Sequence, residues 1–219
     1  MTKIKICGIK TITDALAAMD AGADLIGFNF YPKSPRCIDV GICRNITSVM
    51  RRYAHITLVG VFVNAPAAEM YATMETCNLS LAQLHGDETS EIMQSLHGKG
   101  FKAFRGVPLT LDGFARHDAP AFLVDAAVKG AYGGTGVIAD WNGAAELAKN
   151  HPLLLAGGLT PENVADAVSQ VRPWGVDAAS GVESAPGMKD ARKMKNFVAA
   201  VRFAESKLKV EESSFFPKE

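Results

Sequence analysis

The sequence predicts a single α/β domain with the (β/α)8 TIM-barrel fold. Eight short apolar segments recur along the 219 residues, and stretches with helical spacing lie between them. Most of these segments are continuously apolar, as expected of parallel strands that are covered on both faces. Eight strand–helix units in a chain of this length fit one barrel. An open doubly wound sheet is the alternative, but no GxGxxG motif follows the first segment.

The predicted strands are apolar and end on polar or glycine-rich clusters. They cover residues 3–9, 24–30, 56–63, 79–84, 102–107, 121–125, 153–156 and 175–179. The fifth segment is the weakest of the eight. Gly8 lets the chain turn sharply beyond the first strand.

Helical spacing and capping residues predict the connections between the strands. The predicted helices cover residues 14–21, 69–75, 89–96, 141–149, 162–171 and 191–210. Gly22 is suited to end the first of them, and Thr160 and Pro161 are suited to begin the fifth. We therefore expect a barrel domain over residues 1–210 and a polar C-terminal tail over 211–219.

Composition and charge exclude several classes of protein. Lys and Arg number 23, as do Asp and Glu, so net charge gives no reason to expect a nucleic-acid or membrane partner. No apolar segment approaches the roughly 20 residues of a membrane span, and the first strand leaves no room for a signal peptide. The four cysteines lack metal-ligand spacing, which predicts reduced thiols, no metal site and a cytoplasmic location.

Reactive side chains follow several strands, and the carboxyl ends of all strands in a barrel meet at one face. Cys7 ends the first strand and is a candidate base or nucleophile, although a lone cysteine is more often a small buried hydrophobe. Asp125 ends an apolar strand, which favours the protonated carboxyl of a general acid; a helix N-cap is the alternative. Arg36 follows two prolines that stiffen its loop, and its guanidinium suits a bidentate carboxylate.

Two further polar residues are possible members of the site. His85 lies in the loop after the fourth strand, where hydrogen bonding within the loop is its more common role. Asp177 lies inside the eighth strand and is expected to orient a neighbour or the substrate. Neither residue has metal-ligand spacing with the cysteines.

Glycine-rich loops after the seventh and eighth strands predict a phosphate site. Gly157 and Gly158 end a strand and precede a helix, so that free backbone N–H groups can approach an anion. Ser180 and Gly181 supply a second set of donors, and phosphate binding by these two loops recurs in barrels. Gly134, in a third glycine-rich loop, is a further possible contact or part of a mobile flap. The predicted partner is therefore a small phosphorylated substrate.

The ordered motifs of the chain resemble those of the phosphoribosylanthranilate isomerase family. The resemblance extends from residue 3 to about residue 204, and related phosphate-binding barrels do not carry this set together. The matching segments are KICGI at 5–9, GFNFYPKSPR at 27–36, GVFVN at 60–64, QLHGDE at 83–88, GGTG at 133–136, LAGGLTPEN at 155–163, GVD at 175–177 and SGVE at 180–183.

The resemblance implies an Amadori rearrangement in tryptophan biosynthesis, which converts N-(5′-phosphoribosyl)anthranilate to 1-(2-carboxyphenylamino)-1-deoxyribulose 5-phosphate. It implies a cofactor-independent aldose–ketose isomerase, formally an intramolecular oxidoreductase, that is a monomer or a homodimer. Cys7 would be the general base, Asp125 the general acid and Arg36 the ligand of the anthranilate carboxylate. The site would then be expected to lower the pKa of Cys7 through a cation or a helix N-terminus.

Two departures from the family pattern stand out. Ala179 occupies a position where the family usually has serine, so one hydroxyl donor to phosphate is missing. The segment 139–141 reads Ala-Asp-Trp in place of the commoner Phe-Asp-Trp, which affects packing. Neither departure touches Cys7 or Asp125.

Three alternatives belong to other classes. A histidine-pathway aminoaldose isomerase shares the barrel and the chemistry, but aspartate is expected in place of Cys7, together with two repeated phosphate motifs. A non-catalytic barrel that binds phosphosugars would not need both Cys7 and Asp125. A Schiff-base aldolase would need a lysine at the end of a central strand, and none of these strands ends on one.

Overall fold

The computed structural model describes residues 1–105, 113–114, 119–126 and 139–215, without the side chains of 211–215. Eight parallel strands close into a barrel in chain order, which confirms the predicted fold. The strands are β1 (Lys3–Cys7), β2 (Leu25–Asn29), β3 (Thr57–Phe62), β4 (Leu81–Leu84), β5 (Gly100–Arg105), β6 (Phe122–Asp125), β7 (Leu153–Leu155) and β8 (Gly175–Ala178). β1 pairs with both β2 and β8, so the sheet has no free edge.

Helices connect the strands along the outside of the barrel. They are α1 (Ile12–Ala21), α2 (Val40–Met50), α3 (Ala67–Thr76), α4 (Ser90–Ser95), α5 (Trp141–Ala148), α6 (Val164–Val171) and α7 (Ala191–Phe215). Gly22 adopts a φ of 102° at the end of α1, the left-handed conformation that glycine tolerates. Among the described residues, none of the helices combines the length and the hydropathy that a membrane span requires.

The apolar residues form two clusters, one on each side of the sheet. The outer cluster lies between strands and helices and includes Ile4, Ile6 and Phe28. The inner cluster fills the barrel with residues such as Val59 and Leu123. Successive residues of a strand point to opposite faces, so the positions between the outward residues of β1 face the barrel interior.

The structure differs from the sequence-based expectation in three loop or helix segments between elements and in the last helix. Helix α2 was not predicted, and Asp39 caps it by accepting hydrogen bonds from the next turn. Helix α6 begins at Val164, two residues later than predicted, and α7 continues past residue 210 to Phe215. After β8 the chain forms a 3-10 turn (Ser180–Val182) and a two-stranded hairpin of β9 (Glu183–Ala185) and β10 (Met188–Lys189).

Candidate active site

A cavity at the carboxyl ends of the strands brings most of the predicted site residues together. About 660 Å³ of space free of protein atoms lies within its walls, including the open solvent at its mouth. The predicted residues that line it are Cys7, Arg36, His85, Asp125, Gly157, Gly158, Asp177 and Ser180. Gly181 does not line the cavity, and Gly134 lies outside the described residues.

Strand register places Cys7 beside a buried ion pair. Lys5 and Asp177 are direct neighbours across the β1–β8 ladder. The Lys5 Nζ lies 3.0 Å from each oxygen of the Asp177 carboxylate. Because Lys5 and Cys7 are two residues apart on β1, both face the barrel interior. The thiol therefore lies at the end of a strand with a fully buried ammonium one layer below it.

Burial governs the ionisation of Cys7. Loss of solvent raises the pKa of the thiol, and Asp177 raises it further, while Lys5 and Lys189 lower it by less than burial raises it. The expectation that the site lowers the pKa of Cys7 is therefore wrong. The sequence did predict a cation near the sulfur, but the cost of burying a thiolate is larger than the stabilisation the cation supplies.

Asp125 has two hydrogen-bond partners. The backbone N–H of Ala126 donates to Oδ1 at 2.8 Å, and His85 Nε2 lies 3.2 Å from Oδ2. Gln83 Nε2 lies 2.7 Å from His85 Nδ1. The His85 ring therefore bridges the Gln83 side chain and the Asp125 carboxyl. His85 thus acts inside the site rather than only within its own loop.

Arg36 forms a bidentate pair with Glu183. Its Nε and Nη2 donate to the two carboxylate oxygens at 2.9 and 2.8 Å. Lys189 Nζ also donates to Glu183, at 2.7 Å, and to the Ala179 carbonyl at 2.9 Å. Burial alone would raise the pKa of Glu183, but hydrogen bonds from the two cations hold that pKa below its usual value. The Nη1 nitrogen of Arg36 takes no part in the pair with Glu183.

The two glycine-rich loops pack closely against each other. Gly157 and Gly158 have φ of 82° and 63°, a left-handed conformation in which glycine is favoured. A Cβ on Gly181 would lie 1.9 Å from the Leu159 carbonyl oxygen, so no side chain fits where the loops meet. Gly181 therefore serves loop packing, whereas Gly157, Gly158 and Ser180 line the cavity.

The capping of helix α6 differs from the sequence prediction. Thr160 was expected to be the N-cap, but Asn163 occupies that position. Thr160 instead begins a turn: its backbone N–H donates to Asn163 Oδ1 at 2.8 Å. Asn163 Nδ2 donates to the Gly158 carbonyl at 2.9 Å. The turn therefore ties the Gly157–Gly158 loop to the start of the helix.

Sequence reasoning missed four polar residues of the site. Lys5 and Gln83 lie at inward positions of β1 and β4, and the period of two along each strand was the available signal. Glu183 and Lys189 lie on the hairpin after the 3-10 turn, and no local pattern links them to Arg36. In the described residues, no group of three His, Cys, Asp or Glu side chains is arranged to hold a metal ion.

Comparison with known proteins finds one family that matches most of the chain. The family described as N-(5′-phosphoribosyl)anthranilate (PRA) isomerase matches residues 4–200. A Geotalea uraniireducens N-(5′-phosphoribosyl)anthranilate isomerase is 45% identical over 90% of this chain and 97% of its own length. One from Magnetococcus marinus is 48% identical over 93% of this chain and 96% of its own.

Solved structures of similar proteins share the barrel. The phosphoribosyl anthranilate isomerase of Thermotoga maritima superposes with a TM-score of 0.82 at 33% identity, covering 93% of this chain and 100% of its own. Another isomerase structure, in complex with reduced 1-(o-carboxyphenylamino)-1-deoxyribulose 5-phosphate, gives a TM-score of 0.78 at 32% identity and the same coverage.

Proposed function

Because the chain belongs to the N-(5′-phosphoribosyl)anthranilate isomerase family, we propose that it isomerises N-(5′-phosphoribosyl)anthranilate to 1-(2-carboxyphenylamino)-1-deoxyribulose 5-phosphate in tryptophan biosynthesis. The observation that carries the proposal is one cavity lined by Cys7, Asp125, Arg36 and the Gly157–Gly158 loop. These groups match the needs of a substrate with a proton to remove, a ring oxygen to protonate and two anionic ends.

Asp125 is the proposed general acid of the first step. Its proton goes to the furanose ring oxygen, the bond from that oxygen to C1 breaks, and the anthranilate nitrogen lone pair forms a C1=N bond. The carboxylate left behind accepts hydrogen bonds from the Ala126 N–H and from His85. These donors stabilise the charge that develops on Asp125 as the proton leaves.

Cys7 is the proposed general base of the second step. As a thiolate it removes the proton from ribose C2, and the C–H electrons form a C1=C2 bond while the nitrogen regains its lone pair. The resulting enolamine becomes the product ketone when its C2 hydroxyl loses a proton and C1 gains one. The substrate as a whole is neither oxidised nor reduced, so the chemistry needs no redox cofactor.

Different groups in the cavity lining are the proposed partners of the two anionic ends of the substrate. Arg36 is the proposed ligand of the anthranilate carboxylate through Nη1, with Glu183 fixing the other two nitrogens. The Gly157–Gly158 loop, supported by Ser180, is the proposed phosphate site. Cytoplasmic location, a monomeric or homodimeric state and the absence of a nucleic-acid partner stay predictions.

A fluorescence assay tests the proposed function directly. Phosphoribosylanthranilate is generated in situ, its fluorescence decay is followed with the purified chain, and the product is identified by mass. Rapid decay with formation of the aminodeoxyribulose phosphate is expected. A chain that binds a reduced product analogue but leaves the substrate unchanged would instead be a phosphosugar-binding barrel. Turnover of the histidine-pathway aminoaldose alone would assign it to that pathway.

A further inference from the structure

Lys5 is a buried charge that the proposed reaction does not yet use. Its side chain is fully buried in the barrel interior, and both oxygens of Asp177 lie 3.0 Å from its Nζ. A buried ammonium is costly unless it is paired, and hydrophobic side chains of similar volume often serve stability equally well. The position of this pair under a catalytic cavity therefore calls for a chemical explanation.

The Lys5 ammonium is a direct neighbour of the Cys7 sulfur. Both atoms lie against Gly27 on the adjacent strand: a Cβ there would be 2.8 Å from Cys7 Sγ and 3.1 Å from Lys5 Nζ. The absence of a side chain at this position leaves room for the sulfur and the ammonium side by side.

We infer that Lys5 is a positioning residue whose ammonium stabilises the thiolate of Cys7, and that Asp177 limits how much of that stabilisation reaches the sulfur. The inference rests on the proposed role of Cys7 as the base. It deepens that role, because a buried thiol is a poor base until a cation balances the charge of its thiolate.

The charges around the sulfur act in opposite directions. Burial raises the pKa of the Cys7 thiol and Asp177 raises it further, whereas Lys5 on the same strand and Lys189 on β10 lower it. The carboxylate of Asp177 also feels Lys5, Asp125 and His85. Of these groups, Lys5 favours the thiolate of Cys7 most. Asp177, which is the ion-pair partner of Lys5, disfavours the thiolate.

A purely structural role for the pair is the competing explanation, since Lys5 and Asp177 join β1 to β8 where the barrel closes. The two explanations predict different shifts in the pKa of Cys7 for the two single variants. Removing the cation by Lys5→Met should make Cys7 harder to ionise. Asp177→Asn removes the anion, so that the Lys5 ammonium no longer pairs with a carboxylate and interacts more strongly with the sulfur. This variant should make Cys7 easier to ionise. Loss of a structural tie would not shift the two variants in opposite directions.

The experiment measures the ionisation of Cys7 without substrate. Iodoacetamide alkylation is followed between about pH 6 and pH 11 by mass spectrometry of the peptide that contains Cys7, because only the thiolate reacts. The midpoint of the pH profile gives the pKa independently of how accessible the sulfur is. Lys3→Met on the same strand is the control, since Lys3 is paired with Asp24 at the surface.

The expected result is opposite shifts of the midpoint. At neutral pH, Lys5→Met should react on the order of tenfold more slowly than wild type, and Asp177→Asn several-fold faster. Lys3→Met should match wild type. Equal midpoints in Lys5→Met and wild type, or shifts of the same sign in both variants, would overturn the inference.

A double variant keeps the test decisive if the Lys5→Met chain does not fold. Lys5→Met with Asp177→Asn removes both charges, so no unpaired ion remains in the barrel. Its midpoint should lie above that of wild type if the ammonium is the dominant influence, and a midpoint at or below wild type would contradict the inference.

Failure of this inference is distinguishable from failure of the proposed function. The alkylation profile is measured on the protein alone and does not depend on isomerase activity. If the variants show the expected shifts but the chain has no turnover, the Lys5–Cys7 coupling is supported and the proposed substrate is refuted. If the chain is active but the variants show no such shifts, the proposed substrate is supported and the role of Lys5 is refuted.

Discussion

The guanidinium of Arg36 donates two hydrogen bonds to the carboxylate of Glu183, across 147 residues of sequence. Both side chains are buried, with side-chain exposures of 10% and 4%. The two hydrogen bonds fix the plane of the guanidinium. An arginine without such a partner would lose side-chain conformational entropy on binding a ligand. Arg36, the proposed ligand of the substrate carboxylate, is therefore already oriented before the substrate binds.

Glu183→Gln should weaken substrate binding more than it slows the chemistry. The amide keeps the shape but loses the charge that holds Arg36 and Lys189 together. We expect the KM for phosphoribosylanthranilate to rise about tenfold, equivalent to about 1.4 kcal/mol, with little change in kcat. Steady-state kinetics measures both constants. Ser184→Ala, at the exposed neighbouring position, is the control, and an unchanged KM in Glu183→Gln would refute the role of the pair.

The same carboxylate makes stability depend on pH. The pKa of Glu183 is lowered in the folded protein, so its stabilisation is present above the unfolded pKa of about 4.3 and is lost as the pH falls through the folded value. Relative to wild type, Glu183→Gln should be less stable by about 1–3 kcal/mol near neutrality. Urea unfolding at about pH 7 and about pH 3.5 should show that difference shrinking in acid. A difference independent of pH would contradict this linkage.

Removal of either proposed proton-transfer group should abolish most of the turnover. A positioned general acid or base contributes about 10²–10⁴-fold, so Cys7→Ala and Asp125→Asn should each lower kcat by that range with little change in KM. Cys43→Ala is a matched control because Cys43 is also buried, but in the outer cluster. Near-normal kcat in Cys7→Ala would remove this residue from the mechanism.

The pH profile of activity should be bell-shaped, because the two proposed groups act in opposite protonation states. Cys7 must be a thiolate to accept the C2 proton, and burial raises the pKa of its thiol. Asp125 must carry the proton that it gives to the ring oxygen, so the wild-type value of kcat/KM, which reports the free enzyme, should fall in both acid and alkaline solution. In Asp125→Asn no protonated acid is required, so the residual kcat/KM should instead rise into alkaline solution as Cys7 ionises. Residual activity in Asp125→Asn that does not rise between about pH 7 and pH 9 would contradict a thiol base with a raised pKa.

The sequence predicted the barrel because the period and length of its strands are local properties. Cys7, Asp125 and the Gly157–Gly158 loop were found because strand ends in a barrel meet at one face. The Arg36–Glu183 pair could not be found in this way, since contact between residues that distant depends on where a hairpin folds back. The ionisation of Cys7 was misjudged because the extent of burial is a property of the closed barrel rather than of the strand.

Alanine substitutions at Gly157 and Gly98 distinguish the effect of backbone strain from the effect of disturbing the site. Both adopt a φ of 82°, so alanine costs each about 1–2 kcal/mol of backbone strain. A Cβ on Gly157 would lie 2.6 Å from the Ala126 nitrogen and 3.1 Å from Asp125 Oδ1, whereas a Cβ on Gly98 meets nothing within 4 Å. Only the first substitution pushes on the hydrogen bond that holds the proposed acid.

Gly157→Ala and Gly98→Ala should therefore differ in activity more than in backbone strain. Gly98→Ala should unfold at lower urea concentration with unchanged kcat and KM. Gly157→Ala should lose at least as much stability and, in addition, should lower kcat by about tenfold or more, because a small displacement of a proton donor is enough to cost that factor. Thermal or urea unfolding and steady-state kinetics on both variants give the comparison. Equal kcat values in the two variants would show that the Gly157 loop tolerates a side chain without moving Asp125.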